Sequence, residues 1–401
     1  MHPIFRAFAV RNYRIYWTGF TLSLIGSWMQ TLAQSWLVWD LTRSAFWLGI
    51  VGAMPQLPSL ILGSIGGVIV DRTVKRTLLI VTQTGLALCA LALAILAMNH
   101  MVQVWHVVVI AGITGIFTAA DTPARLSFVS EIVGRQYVGN AIALNSTTFN
   151  ATRLIGPAIA GLIIPWVGEG GCFLINAVSF LAMIWALLSM RDLPPFTFVN
   201  NVSVAAQWRE ALHYVMHSRI ARSLILNVAI FSVFIMSYVV LMPMFADQIL
   251  EKGVRGLGAL MGAIGIGALI GGVYQASLPH NARRGKGVIF GAIGLCVSIL
   301  LFAFSRNFIL SLLILPLVGL SSISMLASTN TLLQTLTPDH LRGRVLGFYT
   351  TSFLGMMPIG CMVAGSAAAE FGASYTVAAG ALICLTVALL TLARNKRLMV
   401  V

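Results

Sequence analysis

Charge is what this sequence most lacks. Of 401 residues only 9% are Asp, Glu, Lys or Arg, against roughly 25% in an ordinary soluble domain, so a fully water-exposed surface cannot be assembled from it. Acid is scarcer still, with 11 Asp and Glu beside 25 Lys and Arg. Cysteine is sparse and unpaired in pattern: Cys89, Cys172, Cys296, Cys361 and Cys384 sit in or beside apolar runs, without the short spacings of zinc or dithiol sites. They read as small packing residues. The histidines (His2, His100, His106, His213, His217, His280 and His340) are dispersed, which argues against a polytopic membrane enzyme such as an acyl or glycosyl transferase, since that chemistry needs His or acidic groups gathered at one face. A Walker-type phosphate loop is missing, which counts against an ATP-driven pump carried on this chain. No enzyme activity, cofactor or metal site is therefore expected. The alternation of short segments that a membrane β-barrel requires is absent too.

What the chain does have is apolar residue, 58% of the total, arranged in runs of about 20, the length that crosses a hydrocarbon core as a helix. The runs predict spans at 14–39, 46–70, 77–98, 104–124, 139–165 and 171–190, then at 220–246, 256–278, 287–305, 308–336, 344–369 and 374–393. The expectation is an all-α membrane protein of twelve transmembrane helices. Arg6, Arg11 and Arg14 precede the first run as in a signal peptide, but the run is too long and lacks a small-residue cleavage site, so it reads as a retained span.

The net charge of +14 lies scattered through the breaks and forms no basic stripe, so nucleic-acid binding is not expected. Its distribution has a topological meaning. Arg6, Arg11, Arg14, Arg72, Lys75, Arg76, Arg125, Arg135, Arg191, Arg209, Arg219, Arg222, Arg283, Arg284, Lys286, Arg342, Arg344, Arg394, Lys396 and Arg397 fall in alternate breaks. The opposite side holds Arg43, Lys252, Arg255 and Arg306. Such an excess marks the cytoplasmic side, which places both termini in the cytoplasm and requires an even number of spans.

The longest polar break runs from about Arg191 to Arg219 and contains Pro194-Pro195, then a stretch from Ala205 to His217 that could lie as an amphipathic helix. It divides the chain into 1–193, an N-terminal bundle, a linker at 194–218, and 219–401, a C-terminal bundle. Features recur across it: Gly66-Gly67 before a basic break matches Gly271-Gly272 before Arg283-Arg284, and Gly156-Pro157 matches Met357-Pro358. A duplicated six-helix unit accounts for this, giving two pseudo-symmetric six-helix bundles.

After the second span the chain reads Gly66-Gly67-Val-Ile-Val-Asp71-Arg72-Thr-Val-Lys75-Arg76. This resembles the loop signature of the major facilitator superfamily, and length, span number and halving extend the resemblance over the whole chain. Gly67 would let a neighbouring helix approach, and Asp71 would accept from amides at a helix N-terminus, so Gly67, Asp71, Arg72, Lys75 and Arg76 form a candidate conformational latch. The alternative makes the bases topology signals only. By the resemblance, Asp121 pairs with those bases; otherwise it is an interfacial acid before a Thr-Pro break. Gly156-Pro157 with Gly161 resembles the antiporter signature of superfamily exporters and would bend the fifth helix, although helix packing alone can account for small residues there.

Asp121-Thr-Pro-Ala-Arg125, Asn140 to Asn145, Arg153 and Arg342-Gly343-Arg344 narrow the likeness to the transmembrane secretion effector branch, which includes enterobactin-type siderophore exporters. The resemblance implies a secondary active exporter of amphipathic organic molecules, drug-like or siderophore-like, working by alternating access in the bacterial inner membrane. A lipid or lysolipid flippase of the same fold is the alternative. It also implies protons as a possible coupling ion, although no acid falls near the middle of an expected span. A small-molecule substrate, membrane lipid and a monomeric state complete the expected partners.

Polar side chains within spans are the candidate lining of a path: Gln30, Gln34, Gln56, Asn145, Asn150, Asn227, Tyr238, Asn330 and Gln334. Singly, each serves an interhelical hydrogen bond as readily as a ligand. Arg153 stands apart as a base well inside the fifth span, where a charge costs at least about 2.5 kcal/mol. It is expected to face a cavity and meet an anionic part of the substrate or compensate a charge, or else to hold carbonyls freed by Pro157.

Overall fold

The computed structural model describes residues 3–58, 60, 72–192, 204–279 and 283–394. Helix dominates, and among the described residues there is no strand, as expected where a backbone in lipid must satisfy its own hydrogen bonds. The helices are α1 (Arg11–Thr42), α2 (Ala45–Ala53), α3 (Lys75–Met98), α4 (Val104–Leu188), α5 (Val204–His217) and α6 (Arg219–Phe234). They continue with α7 (Gly253–Ser277), α8 (Arg284–Phe304), α9 (Phe308–Leu336), α10 (Asp339–Thr350), α11 (Met357–Phe371) and α12 (Ala373–Arg394). A 3-10 turn at Met236–Leu241 and a π turn at Phe245–Ile249 prolong α6, and a π turn at Thr351–Gly355 joins α10 to α11.

The 85 residues of α4 are not one rod. Gly134 and Gly168 both sit at φ 68°, in the left-handed region that glycine enters without steric penalty, and there the chain turns. Three arms result, before Gly134, between the glycines, and after Gly168. Pro123 and Pro157 lie inside the first two arms without ending them. Elsewhere the ends follow local rules: the Ser218 hydroxyl accepts from Ala221 N at 3.3 Å to open α6, Asn307 Oδ1 accepts from Leu310 N at 3.1 Å to open α9, and Gly372 closes α11.

Eight helical stretches among the described residues are long and apolar enough to cross a membrane, with α4 counted once. α1 is long enough at 32 residues but does not join them; Ser23, Ser27, Gln30, Thr31 and Gln34 lower its hydropathy. Most of the expected second span beyond α2 lies outside the described residues. Outer faces are apolar: Leu88, Ile95, Val178, Leu181 and Trp185 are more than half exposed. A surface of that kind suits lipid, and the chain is a multi-pass membrane protein.

Two compact units are distinguished by packing. One comprises Met1–Arg43, Met54–Val199 and Val254–Gly262, the other Ser44–Ala53, Asn200–Gly253 and Ala263–Val401. In the first, Tyr13, Tyr16, Phe20, Leu79, Phe128, Met183 and Leu187 form a buried core. Within the second, Leu224, Val228, Leu332, Leu341 and Val345 do so. α5 coincides with the amphipathic stretch expected in the linker and packs Ala211 and Val215 into that second core, while Tyr214 donates to Leu336 O at 2.9 Å. The five cysteines are all buried, as packing residues should be.

Two expectations need correction. The first arm of α4 continues to Val133, past the expected end of the fourth span at 124, because Pro123 removes one backbone donor without breaking the turn. Arg125, read as a loop base, is therefore inside a helix.

Candidate functional site

The first unit buries a carboxylate. Asp121, in the first arm of α4, is 5% exposed and takes three side-chain donors: Thr82 Oγ1 at 2.7 Å and Gln83 Nε2 at 2.8 Å from α3, and Nε of Arg125 from its own helix. The spacing of four residues sets Asp121 and Arg125 on one face. Arg125 also lies over the Phe20 ring at 5.3 Å, so the pair ties α1, α3 and α4 together. Here the sequence reading is corrected twice. Asp121 is buried well inside its helix, and the base that meets it is Arg125 in place of Arg72 or Arg76, since an i, i+4 partner needs no loop to reach it.

Gly67 and Asp71 of the expected latch lie outside the described residues. Arg72 is exposed. Lys75 forms an ion pair with Glu131 at 2.7 Å, and Arg76 donates to Leu188 O at 2.9 Å, where it caps the last turn of α4. The second unit carries a counterpart: Arg284 donates to Gln275 Oε1 at 2.9 Å near the end of α7.

Three of the candidate amides are engaged between helices. Gln30 Oε1 accepts from Asn176 Nδ2 at 2.6 Å, Asn145 Oδ1 accepts from the Tyr13 hydroxyl at 3.0 Å, and Asn227 donates to Thr391 Oγ1 at 3.0 Å. Asn227, Phe231, Thr329 and Thr391 line a small cavity in the second unit. Asn150 bonds back to Ser146 O at 2.8 Å, and Gln334 donates to Asn330 one turn away. Tyr238 is buried, Gln34 half-buried, and Gln56 Oε1 is buried without a hydrogen-bond partner among the described residues.

Arg153 lies near the middle of the second arm of α4, half-buried, with its guanidinium 5.8 Å from the Trp28 ring of α1. Trp28 in turn meets Phe149 edge-on at 5.7 Å. Gly156 makes this approach possible: a methyl group there would stand 2.5 Å from Trp28 Cβ. Pro157 and Gly161 are buried on the same arm, and a methyl on Gly161 would stand 2.7 Å from Gly258 Cα. The structure thus gathers Arg153, Phe149 and Gly156 with Trp28, while Asn227, Tyr238, Asn330 and Gln334 belong to the other unit. Sequence reasoning counted Trp28 among the groups that could line a cavity and passed over Phe149, whose spacing of four residues from Arg153 and seven from Gly156 was the available signal.

Comparisons with known proteins bear on this arrangement. The chain is 28% identical over 360 residues to the multidrug efflux pump Tap of Mycolicibacterium fortuitum, covering 88% of each. It is 25% identical to the enterobactin exporter EntS of Shigella flexneri over 95% of this chain and 88% of that one. The staphyloferrin A transporter of Staphylococcus aureus is 22% identical, with 94% and 95% covered. Among solved structures, a bacterial homologue of the human lysosomal transporter Spinster superposes with a TM-score of 0.74 at 13% identity, covering 100% of this chain and 98% of that one. That likeness speaks to the fold. A family model described as transmembrane secretion effector matches residues 4–399, and the chain belongs to that family of transporters.

Proposed function

We infer that this protein exports amphipathic organic molecules, drug-like or siderophore-like, by alternating access. What carries the reading is that relatives named as an efflux pump, an enterobactin exporter and a staphyloferrin A transporter align with it nearly end to end. Transport without catalysis is part of this reading, and it is supported by relatives that are named as transporters. Twelve spans in two six-helix bundles are proposed, 1–193 and 219–401 around a linker at 194–218. Support comes from the three arms of α4, each long enough to be a span, and from α1, whose polar residues suit a path more than a lipid face. The proposed membrane is the bacterial inner membrane, with both termini cytoplasmic, and the working state a monomer in contact with lipid.

The substrate path is proposed to use Arg153 together with Gln30, Gln34, Gln56, Asn145, Asn150, Asn227, Tyr238, Asn330 and Gln334. Arg153 has the best support, because a mid-helix charge in lipid must serve an internal path or a partner. Gly67, Asp71, Arg72, Lys75, Arg76 and Asp121 are proposed as the latch and Gly156, Pro157 and Gly161 as the bend. A proton gradient is the proposed drive. Uptake into inverted vesicles of siderophores, drugs and labelled lipids, with and without that gradient, tests the reading. Gradient-dependent uptake of drugs or siderophores is expected. Movement of lipid alone would make the protein a flippase, and no uptake of any of them would remove the export assignment.

A further inference from the structure

α5 leaves one side uncovered, and what that side carries is specific. At about 100° per residue, Arg209, Leu212, His213 and Met216 share a face, while Ala211 and Val215 turn into the core of the second unit. Leu212 is 47% and Met216 53% exposed, with Arg209 and His213 exposed beside them. Apolar and basic side chains together on an open face are the composition of a helix lying in a membrane interface. The depth of α5 agrees with this. The Tyr214 hydroxyl donates to Leu336 O at 2.9 Å, and Leu336 is the last residue of α9, so α5 is level with the end of a long apolar helix. α6 begins beside it at Arg219. Arg219 and Arg222 are exposed, and one turn beyond Arg222 on the same face stands Leu226, more than half exposed. A base followed by an exposed leucine marks the passage from headgroup to hydrocarbon. Arg222 also donates to Met216 O at 3.2 Å, which joins this end of α6 to the open face of α5.

Charge selects the partner. The acid of α5, Glu210, is paired with Arg344 at 3.4 Å, and the acid of α10, Asp339, is paired with Arg342. Among the described residues no acid pairs with Arg209, Arg219 or Arg222, so the charge left over on this surface is positive. A neutral lipid would meet only the apolar side chains, and a soluble acid only the arginines. A lipid with an anionic headgroup meets both at once. We propose that Arg209, Arg219 and Arg222, together with Leu212 and Met216, form a docking surface for acidic phospholipid in the leaflet at which α9 ends. This contact is independent of what the protein exports.

The test uses the full chain in detergent with a fluorophore on Leu212→Cys, the native cysteines being buried. It is titrated with phosphatidylglycerol or phosphatidylcholine carrying a nitroxide on the acyl chain, so that quenching reports lipid at α5. Phosphatidylglycerol should reach half-quenching at least about tenfold below phosphatidylcholine, and salt at about 1 M, where screening sets in within about 3 Å, should remove most of that preference. Arg209→Gln and Arg222→Gln should each raise the phosphatidylglycerol midpoint roughly fivefold and leave the phosphatidylcholine midpoint unchanged. Arg222→Lys should stay close to the unsubstituted arginine, because the attraction is to charge and needs no planar fork. Monodisperse elution establishes folding, and the Arg209 variant, which removes no hydrogen bond recorded within the chain, guards against a structural effect of the Arg222 one. Equal midpoints for the two lipids, no quenching by either, or indifference to both arginine substitutions would each overturn the proposal. Inorganic phosphate should compete no better than chloride at equal ionic strength; stronger competition would make this a site for free anions and not for lipid. Energy transfer between copies labelled at position 212 that rises with protein concentration and ignores lipid charge would give the face to a second copy of the chain, and the proposal would fall.

Discussion

At the scale of single residues, the Asp121–Arg125 pair holds the most energy at stake. Both side chains are largely withdrawn from solvent, at 7% and 14% exposure, and removing one partner of such a pair costs about 3–5 kcal/mol because the other charge stays buried. Arg125→Met should therefore lower the thermal midpoint of the purified protein strongly. Asp121→Asn combined with Arg125→Met should recover much of the loss, since no bare charge remains. If the double variant unfolds as early as the single one, the pair is not what binds α1, α3 and α4. By contrast, the Asp40–Arg43 pair is more than half exposed on both sides, and its removal should leave the midpoint where it was.

Helix against helix, glycine decides how close two elements come, and the consequences differ from site to site. A methyl on Gly161 would stand 2.7 Å from Gly258 Cα, and one on Gly365 the same distance from Gly49 Cα. Backbone cannot yield as a side chain can, so Gly161→Ala and Gly365→Ala should each reduce the folded yield or the midpoint. Gly262 is different: its nearest neighbours would be Ala158 Cβ and Leu154 Cδ1 at 3.8 Å, an ordinary contact. Gly262→Ala should be neutral or stabilising by up to about 1 kcal/mol, the helix propensity gain. Differential scanning fluorimetry of the three variants checks this ordering, and a destabilised Gly262→Ala would show that the spacing around α7 has been misread. These glycines were visible in the sequence, but which of them face another backbone was not. That property depends on a neighbour about a hundred residues away or more.

For the whole molecule, the distribution of Lys and Arg makes an orientation prediction. A reporter active only outside the cytoplasm should work when fused near His100 or Glu169 and fail near Lys75, Ala205 or Arg397. The breaks at Gly134 and Gly168 agree with alternate turns at those depths, since Glu169 follows the second break directly. The reverse pattern of reporter activity would invert the topology, and activity at His100 but not at Glu169 would remove a crossing between them.

The sequence by itself determined that this chain is helical, crosses a membrane many times and carries its charge in the breaks. Those properties follow from composition along the chain, because lipid demands apolar runs of a set length and a backbone that satisfies itself locally. It also marked Arg153 as anomalous, since a mid-span charge is costly wherever it points. Only the tertiary structure decided what that charge lies beside, that Asp121 answers to Arg125, Thr82 and Gln83, and that Gln30 is engaged by Asn176 from 146 residues away. Hydropathy runs along one dimension. The partners of a buried polar group are chosen across helices, where distance along the chain carries no information, and so the site became visible only once the helices had been packed.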